Sequence, residues 1–474
     1  MTPDEFRRAG HTLVEWIADY REKLAAGEFP VQAQVAPGDL IKQLPAAAPE
    51  NAESMGAILK DLDRLITPGI THWQHPQFYG YFPTGGSLTS VLGDMVSTGL
   101  GVVGLSWQAS PALTELEQVT TNWLRDLLGI SDAFSGVIQD TASTSSFLAL
   151  VCARERSSGY GATRGGLQTA EPALIVYVSS QSHSSVEKAA LLAGFGRDNV
   201  RSIAIDENFA MSVPDLQAAI RRDRAAGLRP CAIVATTGTT STTAMDPIAA
   251  IAEIARREKL WLHVDAAMGG AAMLLPEYRH YWEGVEGADS IIVNPHKWLT
   301  VAFDCTLFLM RDPEHLVRVM STNPSYLQSP TDVKVRNYRD WGIALGRRFR
   351  SLKIWFNLRE QGAEAIRQKL RGDIALAKWL ESQVRSAPGW RVVAPVTLQT
   401  VCIRHEPAGL DAASLDVHTR RWAQAVNDSG AAYVTAAAVA GRWMVRVSIG
   451  SELTGTEHVK KLWTIIQQAA ASAA

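Results

Sequence analysis

Four polar stretches of the sequence each follow an apolar run and carry side chains that can do chemistry. Lys297 follows SIIVNPH, Asp265 ends LWLHVD and His183 follows LIVYVSSQS. The fourth stretch is the hydroxyl-rich DTASTSS at 140–146, which follows GVIQ. Because Pro295 cannot donate a hydrogen bond to a sheet, the strand before Lys297 should end in a loop. We expect all four stretches at strand ends, where α/β proteins collect functional groups.

Each stretch taken alone also has an ordinary structural explanation. The hydroxyl residues could cap a helix, and His183 could serve only as a hydrogen-bonding residue. Asp265 could cap a helix, and Lys297 could reach along the surface to solvent. A carboxylate that closes an apolar strand must nevertheless meet a cation or several donors, since burying it unpaired is costly.

Together the four stretches supply what pyridoxal phosphate requires. A helix N-terminus binds the phosphate, a flat side chain stacks on the ring, a carboxylate keeps the pyridinium nitrogen protonated, and a lysine binds the cofactor covalently. The sequence has no Gly-x-Gly-x-x-Gly at a strand-to-helix turn and no Gly-Lys-Ser/Thr loop. A dinucleotide or nucleoside triphosphate site is therefore not expected.

The elements that must position these residues follow an α/β pattern. From about Leu113 to Phe308, short apolar runs alternate with helical stretches such as VPDLQAAIRRDRAAG. Strands buried on both faces and separated by helices predict a mostly parallel sheet in a three-layer domain. The runs are GVIQ, ALIVYV, VRSIAI, CAIVATTG, LWLHVDAA, SIIVNPH and CTLFLM.

The two ends of the chain differ from this central region. Apolar residues at helical spacing predict an amphipathic helix over Thr2–Ala26, and four prolines between Pro30 and Pro49 exclude a long helix there. After about Arg348, helical stretches and two strand-like pieces predict a smaller α+β unit. We expect an N-terminal arm over 1–85, a cofactor domain over 86–347 and a small domain over 348–474. The apolar face of the arm would pack on a partner subunit.

Composition favours small-molecule chemistry. The 474 residues are 46% hydrophobic and 20% charged with a net charge of −2, so no global field would recruit nucleic acid or an anionic membrane. The four cysteines lack the paired spacing of a zinc site, and no metal site is expected. The N-terminus is unlike a signal peptide, and no 18-residue apolar run occurs. These features predict a soluble, cytoplasmic protein.

Nine motifs, in order along nearly the whole chain, resemble the group II pyridoxal-phosphate-dependent decarboxylases. Within them the chain is similar to the aromatic-L-amino-acid decarboxylases, especially bacterial enzymes acting on dopa and related amino acids. NPHK alone is only moderately specific, whereas nine ordered motifs are highly so. The motifs are HPQFYGYFPT, SWQASPALTELE, DTAS, SHSSVEKA, ATTGTT, HVDAA, NPHKWL with FDC, STNPSYL and LGRRFRSLK.

The resemblance implies a fold-type I architecture, as in the aspartate aminotransferases, and an obligate homodimer with active sites at the subunit interface. It implies that Lys297 binds the cofactor covalently, Asp265 pairs with the pyridinium nitrogen and His183 stacks on the ring. Arg446 would be a structural arginine near the site. The other implied cofactor-binding residues are Ala142, Ser143, Asn294 and His296 on the phosphate side, with Thr240 and Ala267 along the ring.

Tyr326, in STNPSYL, matches the loop tyrosine that this family uses as the acid after CO2 is lost. Aldehyde-forming relatives carry phenylalanine there, and others carry asparagine at the position of His183, so both residues favour the amine. An aromatic acetaldehyde synthase is the alternative activity. Tyr326 could instead be a loop aromatic that packs on the dimer surface. A catalytically silent protein is a further alternative, which the intact motifs disfavour.

Substrate preference depends on a second set of residues. The resemblance implies that Thr84 contacts substrate, and it assigns Trp73, Tyr81 and Phe82 to an aromatic pocket suited to flat side chains. These motifs contain no cation for the distal carboxylate of glutamate. Indole-preferring plant relatives tend to have glycine at the position of Gly346, and phenol-preferring ones have serine. Gly346 leaves room for tryptophan without excluding dopa, tyrosine or phenylalanine. Leu105 stands where animal relatives often carry phenylalanine, so the pocket contour there stays open.

Overall fold

The computed structural model describes residues 1–168, 172–322, 324–332 and 334–473. The chain divides into two compact units. Unit 1 comprises 1–83, 378–393 and 401–474, and unit 2 comprises 84–377 and 394–400. This grouping places the N-terminal arm with the C-terminal segments, whereas the division at 85 and 347 stays a prediction.

A sheet of seven described strands forms the centre of unit 2. Its strands are β1 (Ser135–Gln139), β2 (Leu174–Ser179), β3 (Val200–Ile203), β4 (Arg229–Thr236), β5 (Trp261–Asp265), β6 (Ser290–Val293) and β7 (Thr306–Met310). The order is β1-β7-β6-β5-β4-β2-β3. The pairs β2–β3, β2–β4, β4–β5 and β5–β6 are parallel, whereas β7 is antiparallel to β1 and β6. The predicted mostly parallel sheet is confirmed, with each strand at an apolar run.

Helices cover this sheet. The α-helices within unit 2 are α3 (Leu88–Leu100), α4 (Pro111–Leu128), α5 (Ala142–Ser157), α6 (Gly161–Gly165), α7 (Ser184–Leu192), α8 (Val213–Ala225), α9 (Ile248–Glu258) and α10 (Pro313–Met320). Helix α5 packs on β4, β5 and β6 and contacts α7 and α10, whereas α9 packs on β4 and β5 and contacts α8. Both β5 and β6 are buried along their whole length, as expected for parallel strands that are covered on both faces.

Unit 1 contains the N-terminal helix and a smaller sheet. Its helices are α1 (Pro3–Ala26), α2 (Met55–Asp61), α12 (Ala412–Asp428) and α13 (Thr456–Ala473). Its sheet has the order β10-β11-β9-β8, formed by β8 (Trp390–Val392), β9 (Thr400–His405), β10 (Thr435–Val439) and β11 (Arg442–Ser448). The long helix α11 (Ser351–Ser386), kinked at Gly362, contributes to both units. None of the described helices has the length and apolar character needed to cross a membrane.

The predicted N-terminal helix is confirmed, and its start has a local cause. Thr2 accepts a hydrogen bond from the N–H of Glu5, and the Glu5 carboxylate accepts one from the N–H of Thr2. This reciprocal capping satisfies two N–H groups that the helix leaves unpaired. Phe6 nevertheless remains 59% exposed on this helix.

Candidate active site

Lys297 lies in a tight loop directly after β6, as predicted from the sequence. The N–H of Lys297 donates to the carbonyl of Asn294 at 3.0 Å, and the N–H of Asn294 donates to the carbonyl of Ala267 at 2.9 Å. The Thr306 hydroxyl donates to Oδ1 of Asn294 at 2.8 Å. The next residue, Trp298, is buried. The loop therefore holds the lysine backbone at a fixed place against the sheet.

The segment that contains Thr84 is attached to the same loop. The N–H of Gly85 donates to the carbonyl of His296 at 2.6 Å. A Cβ added at Gly85 would lie 2.5 Å from the carbonyl carbon of Thr300 and from the carbonyl oxygen of Val301. Only glycine allows this approach, which places Thr84 next to the loop of Lys297.

Asp265 ends β5 and is only 5% exposed. Its Oδ1 accepts the N–H of Ala267 at 3.1 Å, and its backbone carbonyl accepts the N–H of Thr237 at 2.9 Å. Thr237 begins a tight turn after β4 that contains Thr240, which is half-buried. The strand end thus presents a buried carboxylate with a turn from the neighbouring strand beside it.

His183 precedes α7 and lies close to both Asp265 and Lys297. The N–H of Ser185 donates to Nδ1 of His183 at 3.1 Å. Burial lowers the pKa of His183 below its ordinary value, and the charge of Lys297 lowers it further, whereas Asp265 acts in the opposite direction. The ring is therefore neutral at pH 7, with its hydrogen on Nε2.

His296 is a second neutral histidine beside Lys297. The N–H of Cys305 donates to Nδ1 of His296 at 2.9 Å. Burial, followed by the charge of Lys297, lowers the pKa of His296 to about 4. Its hydrogen is therefore also on Nε2.

The N-terminus of α5 supplies the remaining donors. Oγ1 of Thr141 accepts the N–H of Thr144 at the cap, and the helix then begins at Ala142. N–H groups of a first turn have no carbonyl partner within their helix, so they can bind an anion. Ala142 is half-buried and Ser143 is exposed, so this end is accessible.

These groups fit pyridoxal phosphate. The first turn of α5 suits the phosphate, the buried carboxylate of Asp265 suits a pyridinium nitrogen, and the neutral ring of His183 suits stacking. Lys297 provides the amine. The predicted cofactor-binding residues all belong to unit 2, where they lie at strand ends, in the loops that follow them or in the first turn of α5: Ala142, Ser143, His183, Thr240, Asp265, Ala267, Asn294, His296 and Lys297.

Two of the predicted substrate residues also meet within unit 2. The N–H of Gly104 donates to the carbonyl of Arg347 at 2.9 Å, which joins the segment of Leu105 to that of Gly346. A Cβ added at Gly346 would lie 3.3 Å from Cγ1 of Val103. A side chain at 346 would therefore press on the segment that carries Leu105.

The predicted aromatic residues lie in unit 1. Trp73 stacks on Tyr81, with ring centroids 5.2 Å apart and an interplanar angle of 10°. The guanidinium of Arg446 lies 4.6 Å from the ring centre of Phe82, and burial lowers the pKa of Arg446 to about 10. Arg446 thus supports Phe82 through a cation–π contact, consistent with the structural role that the resemblance implies.

Tyr326 lies in a short 3-10 turn, Ser325–Leu327, and its side chain is outside the described part of the structure. The segment after it is attached by Asp332, which sequence reasoning missed. Oδ2 of Asp332 accepts the N–H of Ser329 at 3.0 Å, and Oδ1 accepts the side-chain N–H of Asn337 at 3.0 Å. Hydrogen bonds from Ser329 lower the pKa of Asp332 to about 2. No motif in the sequence signals this cluster.

Comparisons with known proteins agree with this geometry. Residues 37–406 match the pyridoxal-dependent decarboxylase conserved domain. The chain is 41% identical to a phenylacetaldehyde synthase of Arabidopsis thaliana, over 99% of this chain and 96% of that protein. It is also 41% identical to tyrosine decarboxylase 4 of Petroselinum crispum, over 98% of this chain and 93% of that protein.

Among solved structures, the chain resembles a crystal structure of Oryza sativa TDC with PLP and tryptamine. The TM-score is 0.95 and the identity 35%, with 100% of this chain and 99% of that chain covered. The match to the family domain spans most of the chain, including Lys297, Asp265 and His183. This chain is thus a carboxy-lyase that uses pyridoxal phosphate, and it belongs to the pyridoxal-dependent decarboxylase family.

Proposed function

We propose that this chain decarboxylates aromatic L-amino acids and releases the aromatic amine and CO2. The observation that carries the proposal is that His183 lies close to both Lys297 and Asp265, which follow adjacent strands of the sheet in unit 2. The relatives support the aromatic class, because they include a tyrosine decarboxylase matched over nearly its whole length.

Pyridoxal phosphate, when bound, supplies an electron sink for the bond that breaks at Cα. Asp265 holds a proton on the ring nitrogen through its buried carboxylate, which strengthens that sink. Lys297 would supply the amine that holds the cofactor covalently. His183 is neutral and therefore stacks without adding a positive charge beside Lys297.

The aromatic side chains in the substrate motifs support the substrate class. The Trp73–Tyr81 stack and Phe82 offer apolar, flat surfaces. Thr84 and Leu105 are small or apolar, and Gly346 has no side chain at all. None of these residues provides the cation that a distal carboxylate would require.

Tyr326 determines the product in this proposal. A proton delivered to Cα gives the amine, and a positioned phenol is a suitable acid for that step. The competing function is an aromatic acetaldehyde synthase, because the chain is also 41% identical to the Arabidopsis phenylacetaldehyde synthase. That enzyme class would release aldehyde, ammonia and hydrogen peroxide after consuming oxygen, so the products discriminate the two.

We also propose that the protein is a homodimer in the cytoplasm. Exposed apolar side chains follow one another along and just after α3, where Leu92, Leu100 and Val103 are each at least half exposed. Such a patch marks a protein interface. A mass near twice 51.5 kDa in light scattering would support the dimer, and a mass of 51.5 kDa would refute it. The four free cysteines are all buried, which is compatible with a reducing compartment.

The test uses the purified full-length chain with pyridoxal phosphate. CO2, amine and peroxide are assayed with dopa, tryptophan, tyrosine, phenylalanine, histidine and glutamate as substrates. We expect amine and CO2 in equal amounts from one or more of the first four, and none from glutamate. CO2 accompanied by equimolar peroxide would establish the synthase instead, and release from glutamate alone would refute the aromatic class.

A further inference from the structure

A fully buried histidine lies two residues before Asp265 on the same strand. His263 is 0% exposed, and residues i and i+2 of a strand point to the same face of a sheet. Burial lowers the pKa of His263 to about 4, so the ring is neutral at pH 7. None of the steps proposed above uses this side chain.

His263 is the centre of a buried chain of hydrogen bonds. Its Nδ1 is bonded to Oγ of Ser290 at 2.8 Å, and its Nε2 lies 3.4 Å from Oγ of Ser146. The indole N–H of Trp261 donates to the same Ser290 hydroxyl at 3.0 Å. All four side chains are at most 2% exposed.

The chain of bonds joins the three elements that carry the cofactor-binding groups. Ser146 lies one turn after Ala142 on α5, whose N-terminus suits the phosphate. His263 shares β5 with Asp265, the partner of the ring nitrogen. Ser290 begins β6, which leads to Lys297.

We propose that His263 is a positioning residue. It holds α5 and β5 at the spacing that lets them bind the phosphate and the ring nitrogen of the same pyridoxal phosphate molecule. The inference rests on the proposed roles of Asp265 and the N-terminus of α5. A rigid ligand bound at two ends loses affinity when the anchors shift by about 0.5 Å. Because the His263 ring is neutral, it does not form an ion pair with the Asp265 carboxylate, which can then pair with the ring nitrogen of the cofactor.

The chemistry of the site explains why a histidine fits here. A buried polar chain costs desolvation, and apolar residues of similar shape often give equal stability. Only a side chain with two opposed polar atoms can bridge Ser290 and Ser146. The bridge therefore specifies position rather than adding stability.

The experiment compares His263→Phe with wild type in the full-length protein. Dissociation constants are measured for pyridoxal phosphate, for pyridoxal, which lacks the phosphate, and for inorganic phosphate, which lacks the ring. We expect pyridoxal phosphate to bind roughly ten- to a hundred-fold more weakly, the range seen when outer hydrogen bonds of a metal site are removed. Pyridoxal and phosphate alone should change by less than about threefold, because neither spans both anchors.

Three further variants sharpen the result. Ser146→Ala removes one end of the bridge. The affinity for pyridoxal phosphate in the double variant should therefore be no lower than in His263→Phe alone. His263→Gln keeps two polar atoms and should restore part of the affinity. The matched control is His418→Phe, which removes another buried histidine whose Nε2 is bonded to His405 at 2.9 Å, in unit 1. It should lower the unfolding temperature without changing the affinity for pyridoxal phosphate.

Three outcomes would each overturn the positioning role. They are equally weakened binding of all three ligands in His263→Phe, additive losses of affinity with Ser146→Ala, and wild-type affinity for pyridoxal phosphate in His263→Phe. Failure of the proposed function is a separate outcome. In that case the wild-type chain itself would lack the absorption band of lysine-bound cofactor or would release no CO2.

Discussion

The strand-end residues that we propose bind the cofactor differ in construction from the Tyr326 segment, residues 324–332. Asp265 and Lys297 follow buried parallel strands, and backbone hydrogen bonds from adjacent strands or loops fix both positions. The Tyr326 segment contains one short 3-10 turn, and the side chain of its last residue, Asp332, accepts a hydrogen bond from Asn337. In the proposed mechanism, the cofactor is thus held by residues at the ends of buried strands, whereas the product is selected by a residue in a loop segment.

The difference teaches that the two tasks can fail separately. A change at the strand ends should abolish both products, because both require the electron sink. A change in the Tyr326 segment should redistribute products while substrate is still consumed. The following predictions test that separation.

Lys297→Ala should have the largest effect. Without the amine, the cofactor is not held covalently, and the rate of CO2 release should fall by about three orders of magnitude or more. The absorption band of the lysine-bound cofactor should disappear in the same sample. A variant that keeps this band would exclude Lys297 as the covalent anchor.

Asp265→Asn should lower kcat for CO2 release by about 10²- to 10³-fold, since an amide does not hold a proton on the ring nitrogen. The shape of the side chain is kept, so the fold should be intact by circular dichroism. The ratio of amine to aldehyde should not change. A changed ratio at similar CO2 output would break the proposed separation of tasks.

Tyr326→Phe should change the product rather than the consumption of substrate. Loss of the phenolic proton should shift the output from amine towards aldehyde, ammonia and peroxide, with substrate consumption within about tenfold of wild type. Mass spectrometry of products, with a peroxide assay, measures the ratio. An unchanged amine yield would remove Tyr326 from the role of acid.

As the pH falls, the stability contributed by His296, beside Lys297, should be lost before the stability contributed by Asp332, at the end of the Tyr326 segment. The folded pKa of His296 is lowered from 6.5 to about 4, so the unfolded chain binds more protons between these values. The free energy of unfolding should therefore fall as pH falls from about 6.5 to about 4. For Asp332, the folded pKa of about 2 lies below the ordinary 3.8, so its contribution is lost only below about 3.8.

Denaturant unfolding at a series of pH values measures this dependence. His296→Gln should have a flatter profile between pH 6.5 and 4, whereas Asp332→Asn should keep the wild-type slope there. The same slope in His296→Gln as in wild type would contradict the assignment.

Gly346→Ser should have the smallest effect. The new side chain meets Val103 and narrows the space beside Leu105, so the ratio of kcat/KM for tryptophan to that for tyrosine should fall by up to about tenfold. Gly99→Ala is a matched control, because a Cβ there meets nothing within 4 Å. An unchanged ratio of the two kcat/KM values would show that Gly346 does not influence substrate choice.

The large sheet could be predicted from the sequence because its strands are continuous apolar runs. The same logic placed Asp265 and Lys297 at strand ends. Strands Trp390–Val392 and Thr435–Val439 were not predicted, since the first is three residues long and the second is mostly alanine. Such segments become strands through pairing partners that are distant in sequence.

The sequence could not reveal the bonds that connect separate elements. His263 carried a faint signal, because a polar residue two positions before Asp265 must share its face of the strand. Its bridge from Ser290 to Ser146 depends on tertiary packing over more than a hundred residues. The Asp332 cluster likewise joins residues that no periodic pattern relates.

The contact of Gly85 with Thr300 and Val301 limits how the enzyme can be re-engineered. The N–H of Gly85 bonds to the carbonyl of His296, and the backbone of Thr300 and Val301 leaves no space for a methyl group at position 85. A mutant library aimed at new substrates can therefore include position 84 but must keep glycine at position 85. Any larger residue there would press on the backbone of Thr300 and Val301, and so on the loop that carries Lys297, the proposed covalent anchor.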